Sequence, residues 1–203
     1  MIKQCSAQLA PIWTRVLNRS LLDGVVPLEW KTSTLVPIPK LNLPSVKNDL
    51  RPVALTDLLI KCFGRLFATL LIPQVRPHWD SLQVTYQQGH SVVDAVATLL
   101  QTLYSHLEKQ GSYSRALYVD FSSAFNTISS LMLTRLLIEM NVNTHLIHWI
   151  VSFLTDRRQR VRFKDTMSSY ITTNTGVPQG CVLSPLLFTT YTSNCRTCQR
   201  TVP

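Results

Sequence analysis

Acidic side chains are scarce in this 203-residue chain, eleven Asp and Glu against twenty Lys and Arg. No two are adjacent, and none follows Asp165. A site made from neighbouring acids is therefore excluded, as is any carboxylate side chain contributed after that position. Long apolar runs are missing too. The best stretch, Leu58 to Ile72, is interrupted by Lys61 and Arg65, which argues against a bilayer span. The N-terminus, MIKQCSAQLAPIW, lacks the apolar block of a signal peptide, so an intracellular protein of nucleus or cytoplasm is expected. Five cysteines, an odd number, argue against a disulfide framework. Internal repeats and low-complexity segments are absent as well.

What is present is a chain that is 45% hydrophobic, enough for one sizeable domain or two small lobes. Its net charge of +9 favours polyanionic partners, nucleic acid first and an anionic membrane surface second. A basic protein without such a partner is the plainer alternative. Cys195 and Cys198 form a Cys-x-x-Cys, but no second ligand pair accompanies them to make a zinc site.

The pattern is α+β. Apolar residues at Leu9, Ile12, Trp13, Val16, Leu17 and Leu21 predict a helix over Gln8 to Leu22, stopped at Gly24. Short strands are predicted at Thr34 to Ile38 and Arg51 to Leu55, with a loop from Lys40 to Asp49 between them. A long helix follows from Asp57 to about Val75, then a linking segment, Arg76 to Gly89. Ser91 with Asp94 three residues on reads as a capping box for a helix reaching about Lys109. The unbroken apolar core of Arg115 to Phe121 predicts a strand buried on both faces. Helices over Ser130 to Met140 and Thr144 to Leu154 precede a hairpin of Gln159 to Phe163 with Tyr170 to Thr175. Ser184 and Pro185 then open a helix through Tyr191.

Several of these residues could carry chemistry. Asp120 ends its apolar segment where a carboxylate could bind Mg²⁺, or could simply cap the segment. Gly176 and Gly180 flank Pro178 in a turn that permits close backbone approach. Arg158, Arg160 and Arg162 alternate along a predicted strand and so share one face, suited to a nucleic-acid backbone or to solvent. His145 and His148 lie one helical turn apart without a third ligand and read as helix-surface residues.

LYVDFSSAFNTI, Leu117 to Ile128, and GVPQGCVLSPLLF, Gly176 to Phe188, resemble two of the sequence blocks of LINE-type (non-LTR) reverse transcriptases. NDLRPVALT, VPLEWKTSTLVPIPK and HSVVDAVATLL are similar to further segments of that family, so the resemblance covers nearly the whole chain. It implies RNA-templated DNA synthesis with Mg²⁺, on an RNA template and DNA primer with deoxynucleoside triphosphates, and no membrane. By the same resemblance Asp120 and the backbone carbonyl of Phe121 are metal ligands, and Phe125 is the ring that excludes a 2′-hydroxyl. Gln179 and Gly180 bind the nucleotide, and Arg51 and Lys61 hold its triphosphate. Asn126 stands where the family most often has aspartate. The implied fold is a partial right-hand polymerase, with fingers over about 1–113, an incomplete palm over about 114–203, and no thumb. The family's paired-aspartate strand is not in the sequence. The expectation is therefore a truncated, catalytically inactive fragment. A non-catalytic nucleic-acid-binding module and an inert retroelement relic are the alternatives.

Overall fold

The computed structural model describes residues 4–193 except Ser122, together with Cys195, and leaves the Asn48 side chain undescribed. Cys198, half of the Cys-x-x-Cys, lies outside the described residues. Helix α1 (Ser6–Asp23) ends where Gly24 turns left-handed at φ 64°, its N–H donating to the Leu21 and Ser20 carbonyls. After the single turn α2 (Leu28–Lys31), strands β1 (Thr32–Pro39) and β2 (Leu50–Leu55) flank a loop closed by a 3-10 turn, Lys47–Asp49. Helix α3 (Leu58–Val75) starts at Asp57, whose carboxylate accepts from the Leu59 N–H at 2.6 Å.

By length and composition α3 could cross a membrane, contrary to the expectation from Lys61 and Arg65. Here it is the central core helix. Ile60, Phe63, Phe67, Leu71 and Val75 are buried along one face. They meet α5 (Ser130–Glu139), α6 (Thr144–Leu154) and α7 (Leu183–Tyr191) in a single core. Trp149 is its centre, with ring centroids 4.4 Å from Phe67, 4.9 Å from Phe63 and 5.4 Å from Phe153. Its buried indole N–H donates to Ser20 Oγ at 3.1 Å, which ties α1 to α6 and leaves no orphan donor.

The sheet runs in the order β2-β1-β3-β4, with β5 also on β3. Strand β3 (Arg157–Phe163) pairs parallel with β1, Thr34 opposite Arg160. It then turns back through Lys164 into β4 (Thr166–Met167) and β5 (Ile171–Thr173), both antiparallel to it. The predicted hairpin is thus present with an extra two-residue strand. The α+β pattern stands.

One predicted element is corrected. Arg115 to Phe121 forms no strand and is not buried on two faces: Leu117, Tyr118 and Val119 are 88%, 78% and 74% exposed. No strand among the described residues runs beside it, and an apolar run without a ladder partner gains nothing from extension. Helix α4 (Val92–Leu107), just before it, also buries no residue. It depends on its capping box, where the Ser91 N–H donates to Asp94 Oδ2 at 2.6 Å. That backbone N–H, then the Ser91 hydroxyl, holds the Asp94 carboxyl below its ordinary value.

Candidate active site

Two loops far apart in sequence are stitched together. The Gly176 N–H donates to the Ile128 carbonyl at 2.8 Å, and the Val177 N–H to the Phe125 carbonyl at 2.7 Å. Gln179 Nε2 reaches Asn126 Oδ1 at 3.5 Å, and Ser129 bridges Thr175. Gly176 is needed for this closeness. With φ at +71°, a Cβ there would sit 2.6 Å from the Phe125 carbonyl oxygen. On its far side the loop joins β2, the Ala54 N–H donating to the Gln179 carbonyl at 2.8 Å.

Arg157 anchors the start of that loop from beneath. It is 7% exposed, its Nε donating to the Leu154 carbonyl at 3.3 Å and its Nη2 to the carbonyls of Thr175 and Gly176. Burial pulls its pKa below the ordinary arginine value, down to about 10, which leaves it a cation at neutral pH. Its carbonyl partners supply the dipoles that a buried guanidinium requires.

Between these loops and β2 lies a groove of about 990 Å³. Arg51, Phe121, Phe125, Gln179 and Gly180 line it together, so five of the residues singled out in sequence meet in one place. The Phe125 ring centroid is 5.4 Å from that of Phe188 and 6.4 Å from that of Tyr86. Phe121 meets Phe188 edge-on at 6.0 Å. The lining is therefore partly aromatic, and Arg51, Lys40 and Lys47 add basic side chains to it. Cys181 also lines the groove. Burial pushes its thiol up, opposed by the Leu183 and Ser184 N–H groups and then by the Lys61 ammonium, which places Lys61 within electrostatic reach of the groove.

Asp120 is not among the groove residues; it is exposed in the unpaired segment before Phe121. Among the described residues no three His, Cys, Asp or Glu cluster to hold a metal. Reading the sequence did not find Tyr86, Lys40, Lys47 or Arg157. For Arg157 the available signal was register: it precedes the alternating arginines by one residue and so points to the opposite, inner face.

Comparison with known proteins gives the family. The model of the family described as reverse transcriptase (RNA-dependent DNA polymerase) matches residues 38–200, and the chain belongs to that family. Among its relatives, both from Drosophila melanogaster, is the probable RNA-directed DNA polymerase from transposon BS, 29% identical over 200 residues and covering 94% of this chain. Another is the probable RNA-directed DNA polymerase from transposon X-element, 26% identical over 181 residues and covering 88% of this chain. The alignments span 22% and 20% of those two proteins, so the chain corresponds to about a fifth of their length. The resemblance to transposon reverse transcriptases read from the sequence agrees with both. The family generally uses Mg²⁺. Among the described residues, the donors that the resemblance singles out, the exposed Asp120 carboxylate and the neighbouring Phe121 carbonyl, do not fit a two-ion site, which needs several carboxylates held on fixed backbone.

Proposed function

We propose that this chain is the nucleotide-holding portion of a transposon RNA-directed DNA polymerase, with fingers over about 1–113 and palm over about 114–203. The groove takes a deoxynucleoside triphosphate. Arg51 suits the phosphates because its planar fork donates two parallel hydrogen bonds, and Lys61 adds a point charge. Phe125, backed by Phe188, presents a flat ring to the sugar. Gln179 and Gly180 offer amide and open backbone to the base pair, and Asp120 with the Phe121 carbonyl is the chain's contribution to metal binding. One observation carries this reading: residues from three separate stretches of sequence converge on one groove.

This polypeptide by itself does not polymerise. One carboxylate leaves most of the charge of two Mg²⁺ ions uncompensated, and the transferring phosphoryl group would lack its clamp. Primer extension by the purified chain with Mg²⁺, an RNA template and a DNA primer is expected to give no incorporation. Titration with a fluorescent nucleotide should show binding that favours deoxy over ribo and is weakened by Phe125→Val in that preference. Clear incorporation of deoxynucleotides would sink the inactivity claim, and equal binding of both sugars would sink the role of Phe125.

A further inference from the structure

Among the described residues four non-glycines hold a positive φ: Tyr86, Asn141, Asp156 and Lys164. Asn and Asp have short polar side chains that visit this region readily, and Lys164 lies in the turn between β3 and β4. Tyr86 is the one aromatic among them. It has φ +60° at the third position of a turn, Val84 to Gln87, closed by the Gln87 N–H on the Val84 carbonyl at 3.4 Å. Such a position favours glycine, because a Cβ there crowds the backbone. Core packing does not offset that strain, since Tyr86 is 55% exposed. Nor does its hydroxyl, which makes no hydrogen bond among the described residues.

What the ring does meet is Phe125. The two centroids are 6.4 Å apart with planes inclined at 54°, and Phe188 approaches the same ring at 5.4 Å, also inclined at 54°. Both neighbours belong to one frame. Phe188 is on α7, and the segment that carries Tyr86 is pinned to the C-terminal end of that helix. Trp79 Nε1 donates to Thr190 Oγ1 at 3.4 Å, and Gln83 Nε2 to Thr192 Oγ1 at 3.1 Å. Gln83 passes the constraint on, its carbonyl accepting from the Gln87 side chain at the far end of the turn. Tyr86 and Phe125 line the groove together. We infer that Tyr86 is a positioning residue: its left-handed backbone aims the ring at Phe125 and fixes the face that Phe125 turns to the sugar of a bound nucleotide. The sugar contact rests on the nucleotide reading above; the brace between the two rings does not.

The test uses the whole 203-residue chain. Tyr86→Asn suits the left-handed turn but removes the ring, and Tyr86→Phe keeps the ring. Fluorescent deoxy- and ribonucleoside triphosphates are titrated into each protein, and 4-fluorophenylalanine in place of Phe125 reports that ring by fluorine NMR. Tyr86→Asn should lower the preference for the deoxy sugar by about tenfold, the low end of what a steric contact with one small group supplies. It should move the fluorine resonance and leave the unfolding midpoint within about 0.3 M urea of the wild type. Tyr86→Phe should keep the preference within about twofold, because ring and volume are retained. In a Phe125→Val background Tyr86→Asn should change the preference no further, since it acts through Phe125. A preference and a resonance both unmoved by Tyr86→Asn would overturn the brace. A preference lost only together with a large fall in the urea midpoint would overturn it too, because the ring would then serve the fold. Failure of the nucleotide reading looks different: a wild-type chain without sugar preference, whose fluorine resonance still moves in Tyr86→Asn, supports the brace and removes the sugar contact.

Discussion

Two apolar stretches with the same family signature behave in opposite ways. The loop at Gly176 to Gly180 is fixed from three directions, by Phe125 and Ile128, by Ala54, and by Arg157 beneath. Leu117 to Phe121 is fixed by nothing comparable and lies exposed. The difference is one of backbone hydrogen bonding. A turn with glycine at positive φ can close onto its own chain, whereas a strand must borrow its partner from elsewhere.

The largest effect that would break this contrast is expected at Gly176. Gly176→Ala forces a left-handed alanine into the Phe125 and Asn126 backbone and should cost about 3 kcal/mol of unfolding free energy in urea. Gly111→Ala, equally left-handed at φ +77° but facing open space, should cost only about 1 kcal/mol. Arg157→Met comes next, at about 2 kcal/mol, because three carbonyls lose their donors. It also carries a pH signature. Burial holds the folded pKa of Arg157 at about 10, below the ordinary arginine value of the unfolded chain, so in between the unfolded chain binds more protons. Wild type should therefore gain stability relative to Arg157→Met as pH rises above about 10, and lose that gain as pH falls back through it. Unfolding of both proteins at about pH 9 and about pH 11 checks the sign.

Smaller effects sharpen the other side of the comparison. Ser91→Ala should destabilise α4 by about 1 kcal/mol, seen as faster amide exchange confined to that helix, since no buried residue compensates. Leu117→Ser and Val119→Ser should each change global stability by less than about 0.5 kcal/mol. A loss of several kcal/mol from either would show that the segment is packed after all.

Much of this was legible in advance because its causes are local. Gly24, Asp57, and Ser91 with Asp94 mark helix ends by side-chain chemistry a sequence displays directly. The meeting of Phe125 with Gln179 was implied by family resemblance. The failure at Arg115 to Phe121 has the opposite cause: an apolar run shows a wish to be buried, not the neighbour that would bury it. Arg157 was hidden for a similar reason, since a fully enclosed arginine is rare and its carbonyl partners come from the ends of other elements. Lys40, Lys47 and Tyr86 reach the groove from loops whose paths no periodicity encodes.

The parallel pairing of β1 with β3 also sets an order of assembly. Thr34 and Arg160 are 126 residues apart, joined across the whole helical core. During synthesis at about 5–20 residues per second, β1 would wait on the order of ten seconds for its parallel neighbour to leave the ribosome. Until then only β2 can pair with it. The chain therefore has a high-contact-order step at its centre, and folding should be slow and concentration-sensitive even where the finished domain is well packed.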